Sequence, residues 1–113
     1  MMAETLCAAS KSSRKYYFNP QFSKLPQDVQ DRLKIISVTF AEDVGGVFMI
    51  SFSEDGTPYF SVMPGENDSD IDEIGAELRI RRVQESEQEL MQQLQLFYRI
   101  FVLGEDLGVL LEE

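Results

Sequence analysis

From Asp70 to Leu103 the chain runs 34 residues without a proline, and the stretch Leu94–Leu103 is apolar almost all round. A helix that is apolar on every side has to be covered on every side. The rest of a 113-residue chain is barely large enough to do this, because a domain of that size buries only about two-thirds of the surface its unfolded chain exposes. As one helix the segment would be roughly 50 Å long, against a radius of gyration near 14 Å for such a domain, so it would overhang. Either the helix breaks and folds back on its own core, or a second copy of the chain covers it.

Composition narrows the classes of protein this can be. With 43% apolar residues the chain reads as globular rather than disordered. No run approaches the ~20 apolar residues needed to span a bilayer. Met1–Ser10 has no basic segment and too short an apolar run for a signal peptide. The single cysteine, Cys7, can form no internal disulfide. The expected compartment is the cytoplasm, with no membrane partner.

Net charge is −10 and unevenly spread. Residues 1–34 carry six bases and three acids, hence +3; residues 35–113 carry four bases and 17 acids, hence −13. A nucleic-acid binder needs cations to displace counterions from phosphates, so a chain this acidic is repelled by nucleic acid. The same asymmetry can steer a basic partner or orient two copies, although an acidic surface also simply keeps a protein soluble.

Along the chain, residues 1–15 are small and polar and read as a short helix or a mobile arm. Tyr16-Tyr17-Phe18 is an aromatic cluster on a turn, with Asn19 capping a short turn ahead of Pro20. Val29, Leu33, Ile36, Phe40 and Val44 then recur at steps of 4, 3, 4 and 4, which predicts a helix from Pro26 to Val44 closed by Gly45. The competing reading is a strand over Ile35–Phe40. Val47–Phe52 and Thr57–Met63, joined through Asp55-Gly56, predict a β-hairpin, with Pro58 at an edge or a strand start. Both faces of its first strand are mostly apolar, which predicts cover on both sides. A helix is predicted to begin near Asp70, with Ile71, Ile74 and Leu78 on one face. Val83, Leu90, Leu94, Phe97 and Phe101 lie on another, and the change falls at Arg79–Arg82. A bend or break there, or a third strand over Leu78–Val83, would account for it. Residues 104–113 form a C-terminal tail. The predicted fold is a single small α+β domain: helix, two-stranded antiparallel hairpin, and a long or bent C-terminal helix.

Reactive motifs are scarce. Asp68–Glu73 has alternating carboxylates, but a calcium loop counted from Asp68 needs glycine and glutamate where Glu73 and Arg79 stand. Glu42 and Asp43 are adjacent on a helix and face apart, so they read as a helix end, not as an acid/base couple. Cys7 has no histidine anywhere to activate it. One cysteine and no histidine leave no zinc set, and neither phosphate-loop spacing occurs. No cofactor and no catalytic residue is expected.

The strongest binding candidates are therefore Leu90, Leu94, Phe97, Tyr98, Ile100 and Phe101, because aromatic residues dominate interface energetics. Part of this set has to serve as core. The surplus on the opposite side, Leu96, Ile100 and Leu103, is left for an interface.

Three stretches, Lys15-Tyr16-Tyr17-Phe18-Asn19, Glu42-Asp43-Val44-Gly45-Gly46 and Asp72-Glu73-Ile74-Gly75-Ala76-Glu77-Leu78, resemble a family of short, uncharacterised bacterial proteins filed as a domain of unknown function. The resemblance implies a bacterial cytoplasmic protein and carries over no activity and no functional residue. Function is then open among three readings. The first is an acidic, non-catalytic protein-interaction module, a homodimer paired through its C-terminal helix. The second is an acidic decoy for a basic, nucleic-acid-binding protein. The third is a small ligand binder or carboxylate enzyme that also uses Tyr16, Tyr17, Tyr59 and Tyr98.

Overall fold

A computed structural model describes residues 4–64 and 73–104. Strands β1 (Glu4–Ser10), β2 (Lys15–Phe18), β3 (Val47–Phe52) and β4 (Pro58–Met63) form one antiparallel sheet in the order β2-β1-β3-β4. Helices α1 (Gln27–Val44), α2 (Glu73–Ser86) and α3 (Gln88–Phe101), with a 3₁₀ turn at Pro20–Phe22, pack on one face of it. The α+β class holds, but the sheet has four strands where a two-stranded hairpin was predicted.

The extra strands are β1, in the segment read as an arm or short helix, and β2, where Tyr16-Tyr17-Phe18 was read as an aromatic cluster on a turn. β1 is a central strand, paired with β2 on one side and β3 on the other. Leu6 is an extra residue between the pairs Thr5–Ser51 and Cys7–Ile50, a bulge that breaks the alternation. Leu6 and Cys7 are consecutive and both fully buried, so no period of two is visible in the sequence. Asn19 does cap the following turn: its Oδ1 accepts from the Gln21 N–H at 3.0 Å. Its Nδ2 donates to the Thr5 carbonyl at 2.8 Å, tying the turn to β1. That tether sets Phe22 into the core.

The helix predicted from Pro26 to Val44 is α1, and the alternative strand over Ile35–Phe40 does not form. Val29, Leu33 and Phe40 are buried, and Ile36 and Val44 pack beside them. Burying each large side chain contributes roughly 1.5–3 kcal/mol. The helix ends where Gly45 adopts φ +89° and donates its N–H to the Ala41 carbonyl. The hairpin is β3–β4. Its turn is closed by the Ser53 N–H to the Thr57 carbonyl (3.0 Å) and by Gly56 at φ +88°. The cover predicted on both faces of β3 is found on one. Phe48, Ile50 and Phe52 lie under the helices, whereas Val47 and Met49 are half-buried on the far face.

The C-terminal segment breaks, but at Glu87 (φ −114°, ψ 33°) and not at Arg79–Arg82. The alternative third strand over Leu78–Val83 is helix. The inner stripe of α2 is Ala76, Ile80 and Val83, while Ile74 and Leu78, read as one packing face, are 76% and 56% exposed. Ile71 and the Asp68–Asp72 carboxylates lie outside the described residues. Two ion pairs pin the broken helix to α1. Arg79 bonds Asp43, and Arg32 grips Glu87 with two hydrogen bonds of 2.8 and 2.7 Å.

Candidate functional site: an uncharged sheet face and a basic cleft

The six residues proposed for an interface fall into two groups. Leu90, Leu94, Phe97 and Tyr98 belong to the chain's own core. There Phe52 and Tyr98 rings lie 4.7 Å apart and Phe22 meets both Phe52 (5.3 Å) and Phe97 (6.3 Å). Breaking at Glu87 turns α3 back onto these aromatics, and this absorbs most of the apolar excess. Ile100 is half-buried. Phe101 is 57% exposed, stacked on Phe97 at 4.6 Å.

The four tyrosines do not converge. Tyr16 and Tyr98 point under the helices, while Tyr17 and Tyr59 stand on the far face, on the two edge strands. Among the described residues no group of three or more Cys, Asp or Glu could hold a metal ion. No helix among them is long and apolar enough to cross a membrane.

Cys7 sits in β1 with its Sγ 3.5 Å from the Ser37 Oγ. Burial pushes the thiol pKa up, and the contacts with Ser37 and Tyr16 only partly offset this. A raised pKa favours the protonated thiol, the less nucleophilic form. The Tyr16 hydroxyl nearby is buried without a hydrogen-bond partner. Burial first, and then the neighbouring Cys7, raise its pKa as well. Cys7 is close enough to act on it electrostatically but does not satisfy it. At the hairpin turn, hydrogen bonds from Ser53 and Thr57 hold the Asp55 carboxyl down to about 2.

Two surfaces remain. The first is the sheet face opposite the helices. Strand alternation places on it Thr5, Ala8 and Ser10 from β1, Lys15 and Tyr17 from β2, Val47, Met49 and Ser51 from β3, and Tyr59, Ser61 and Met63 from β4. No described element crosses it. Lys15 is its only charged residue, in a chain of which 27% is charged. An antiparallel sheet can leave one face to water; this one is polar through hydroxyls, with Ala8, Val47, Met49 and Met63 as its apolar members, and almost without charge.

The second surface is a cleft of about 460 Å³ between the β1–β2 turn and α1. Lys11, Arg14 and Lys34 line it, Lys15 joins them at the rim from the sheet's edge strand, and Glu42 is the one acid. The Lys34 Nζ lies 5.9 Å from the centre of the Tyr16 ring, within cation–π range. Sequence reasoning missed this cleft because it depends on Lys11–Lys15 being a hairpin turn, which requires β1 and β2 to be strands.

The model of one protein family matches residues 3–106 of the chain. The chain belongs to the family of unknown function DUF6145. The match spans both strands of the N-terminal hairpin and all three helices, and so covers the three segments that carried the resemblance. No curated protein and no solved structure matches the chain.

Proposed function

We propose that this DUF6145 chain is a small non-catalytic interaction module that pairs with a second copy through the sheet face that no described element crosses. The observation that carries this reading is the nearly uncharged character of that face. Two copies carrying −10 each repel over most of their surfaces, and this face is where they can meet with only Lys15 to desolvate. Four strands about 4.8 Å apart and about six residues long at ~3.3 Å per residue give a projected face near 400 Å². A standard interface buries about 800 Å² per partner, so the pairing is a weak, concentration-dependent one. With Leu90, Leu94, Phe97 and Tyr98 in the core, the competing apolar contacts on α3 are the exposed Leu96 and Phe101 and the half-buried Ile100.

Light scattering over a concentration series tests this. The expected mass rises from one chain toward two. Met49→Glu is expected to stay at one chain with an unchanged circular dichroism spectrum, and Phe101→Asp to follow the parent curve. A mass fixed at one chain throughout overturns the reading. So does association lost in Phe101→Asp but kept in Met49→Glu, which would move the interface to the end of α3.

A further inference from the structure

We propose that the cleft between the β1–β2 turn and α1 binds a compact phosphate-bearing anion. Four of the chain's ten basic residues line this one cleft, in a protein whose net charge is −10. With Glu42 subtracted, the local balance is +3. None of Lys11, Arg14, Lys15 and Lys34 makes an ion pair among the described residues. Unpaired like charges held together repel one another, and a bound anion relieves that repulsion.

The cations are mounted on fixed backbone. The Lys11 N–H bonds the Gly46 carbonyl at 3.2 Å, tying the turn to the loop after α1, and the Ser13 N–H bonds the Ser10 Oγ at 3.4 Å. Arg14 holds φ +53°, a conformation glycine or asparagine adopts more readily. Lys34 stands over the Tyr16 ring. The backbone that carries the cations is thus fixed in advance, so that binding has to order only their side chains.

Size and wall chemistry select the ligand class. About 460 Å³ lies within the range of small-molecule sites, and the Tyr16 ring, Val38 and Ala41 give the cleft an apolar side. A nucleic-acid strand or an acidic peptide would extend beyond the cleft. The remainder of the chain, with 17 acids against four bases over residues 35–113, would repel it. A small phosphate compound stays within reach of the four cations.

The test is a titration of isotope-labelled protein at low salt, followed by backbone amide chemical shifts, with inorganic pyrophosphate, a nucleoside diphosphate and a glutamate-rich peptide as separate probes. Saturable shifts confined to Lys11–Tyr16 and the α1 turn around Lys34 are expected with pyrophosphate. Tighter binding of the nucleoside diphosphate would assign the apolar wall to the base, and equal binding would mean that phosphate alone is read; both support the site. Arg14→Gly relieves the backbone while removing a cation, so it is expected to stay folded and to bind roughly tenfold more weakly. Lys34→Gln is expected to do the same. The proposal is overturned by an absence of saturable shifts at about 10 mM pyrophosphate. It is equally overturned by shifts centred elsewhere, by unchanged affinity in both variants, or by tighter binding of the peptide.

Discussion

Gly56 offers a sharp test of how α3 docks on the sheet. It lies in the β3–β4 turn at φ +88°, and a Cβ placed there would stand 2.7 Å from Tyr98 Cδ1 and 3.3 Å from Cγ. Gly56→Ala therefore meets two separate costs. The left-handed conformation costs a non-glycine residue about 1–2 kcal/mol, and pushing a methyl into a packed ring costs about 1–3 kcal/mol. Tyr98 has little room to retreat, being 6% exposed with Phe52 at 4.7 Å. The expected loss is about 2–5 kcal/mol in urea unfolding followed by circular dichroism, or a melting point lower by roughly 10–20 °C for a domain of this size. The two costs separate in a double-mutant cycle with Tyr98→Leu, which removes the ring. In that background Gly56→Ala should cost only the backbone share, about 1–2 kcal/mol, leaving a coupling of about 1–3 kcal/mol. Equal costs in both backgrounds would refute the contact between the turn and α3.

Two further outcomes are expected. Phe48 is fully buried, with Phe40 at 4.4 Å and Phe60 at 5.3 Å, so Phe48→Ala should cost about 3–5 kcal/mol; Phe101→Ala, on an exposed ring, should cost under about 1 kcal/mol, and denaturant midpoints compare the two. Cys7 and Tyr16 both keep their protons in the fold above the ordinary values of 9.0 and 10.0, whereas the unfolded chain releases them. Their contribution is therefore full below about pH 9 and is lost as pH rises toward the folded values. Urea midpoints should fall above about pH 9, with a shallower fall in Cys7→Ala; a midpoint that is flat or rising there would contradict the burial of both groups.

What could be read in advance depended on the kind of signal each element carries. α1 has a long stripe of large apolar side chains and a glycine at its end, and the β3–β4 hairpin has an Asp-Gly turn between β-rich runs. Both were legible because their local chemistry agrees with their tertiary role. β1 was not, because its strand character comes from its neighbours. Ala8 and Ala9 have low strand preference, and the bulge at Leu6 removes the alternation. The break at Glu87 has no proline or glycine to announce it. The shift of apolar face signalled that something changed, yet Ile74 and Leu78 misplaced it, since those two face solvent. The interface candidates on α3 were chosen for being large and aromatic, which core residues are too. The basic cleft and the nearly uncharged face both follow from β1 and β2, so neither was legible while residues 1–15 read as an arm.

The placement of β1 also sets an order of events during synthesis. It emerges well before β3, yet one of its two edges is completed only by that strand, with Cys7 opposite Ile50. The β1–β2 hairpin and α1 can form early from local contacts. Until Phe52 has left the ribosome, however, β1 has an open edge, and Leu6, Cys7 and Phe22 lack most of their cover. The ladder between β1 and β3 joins the two halves of the sheet. Its formation is therefore the step at which the nascent chain stops being a hairpin beside a helix and becomes a domain.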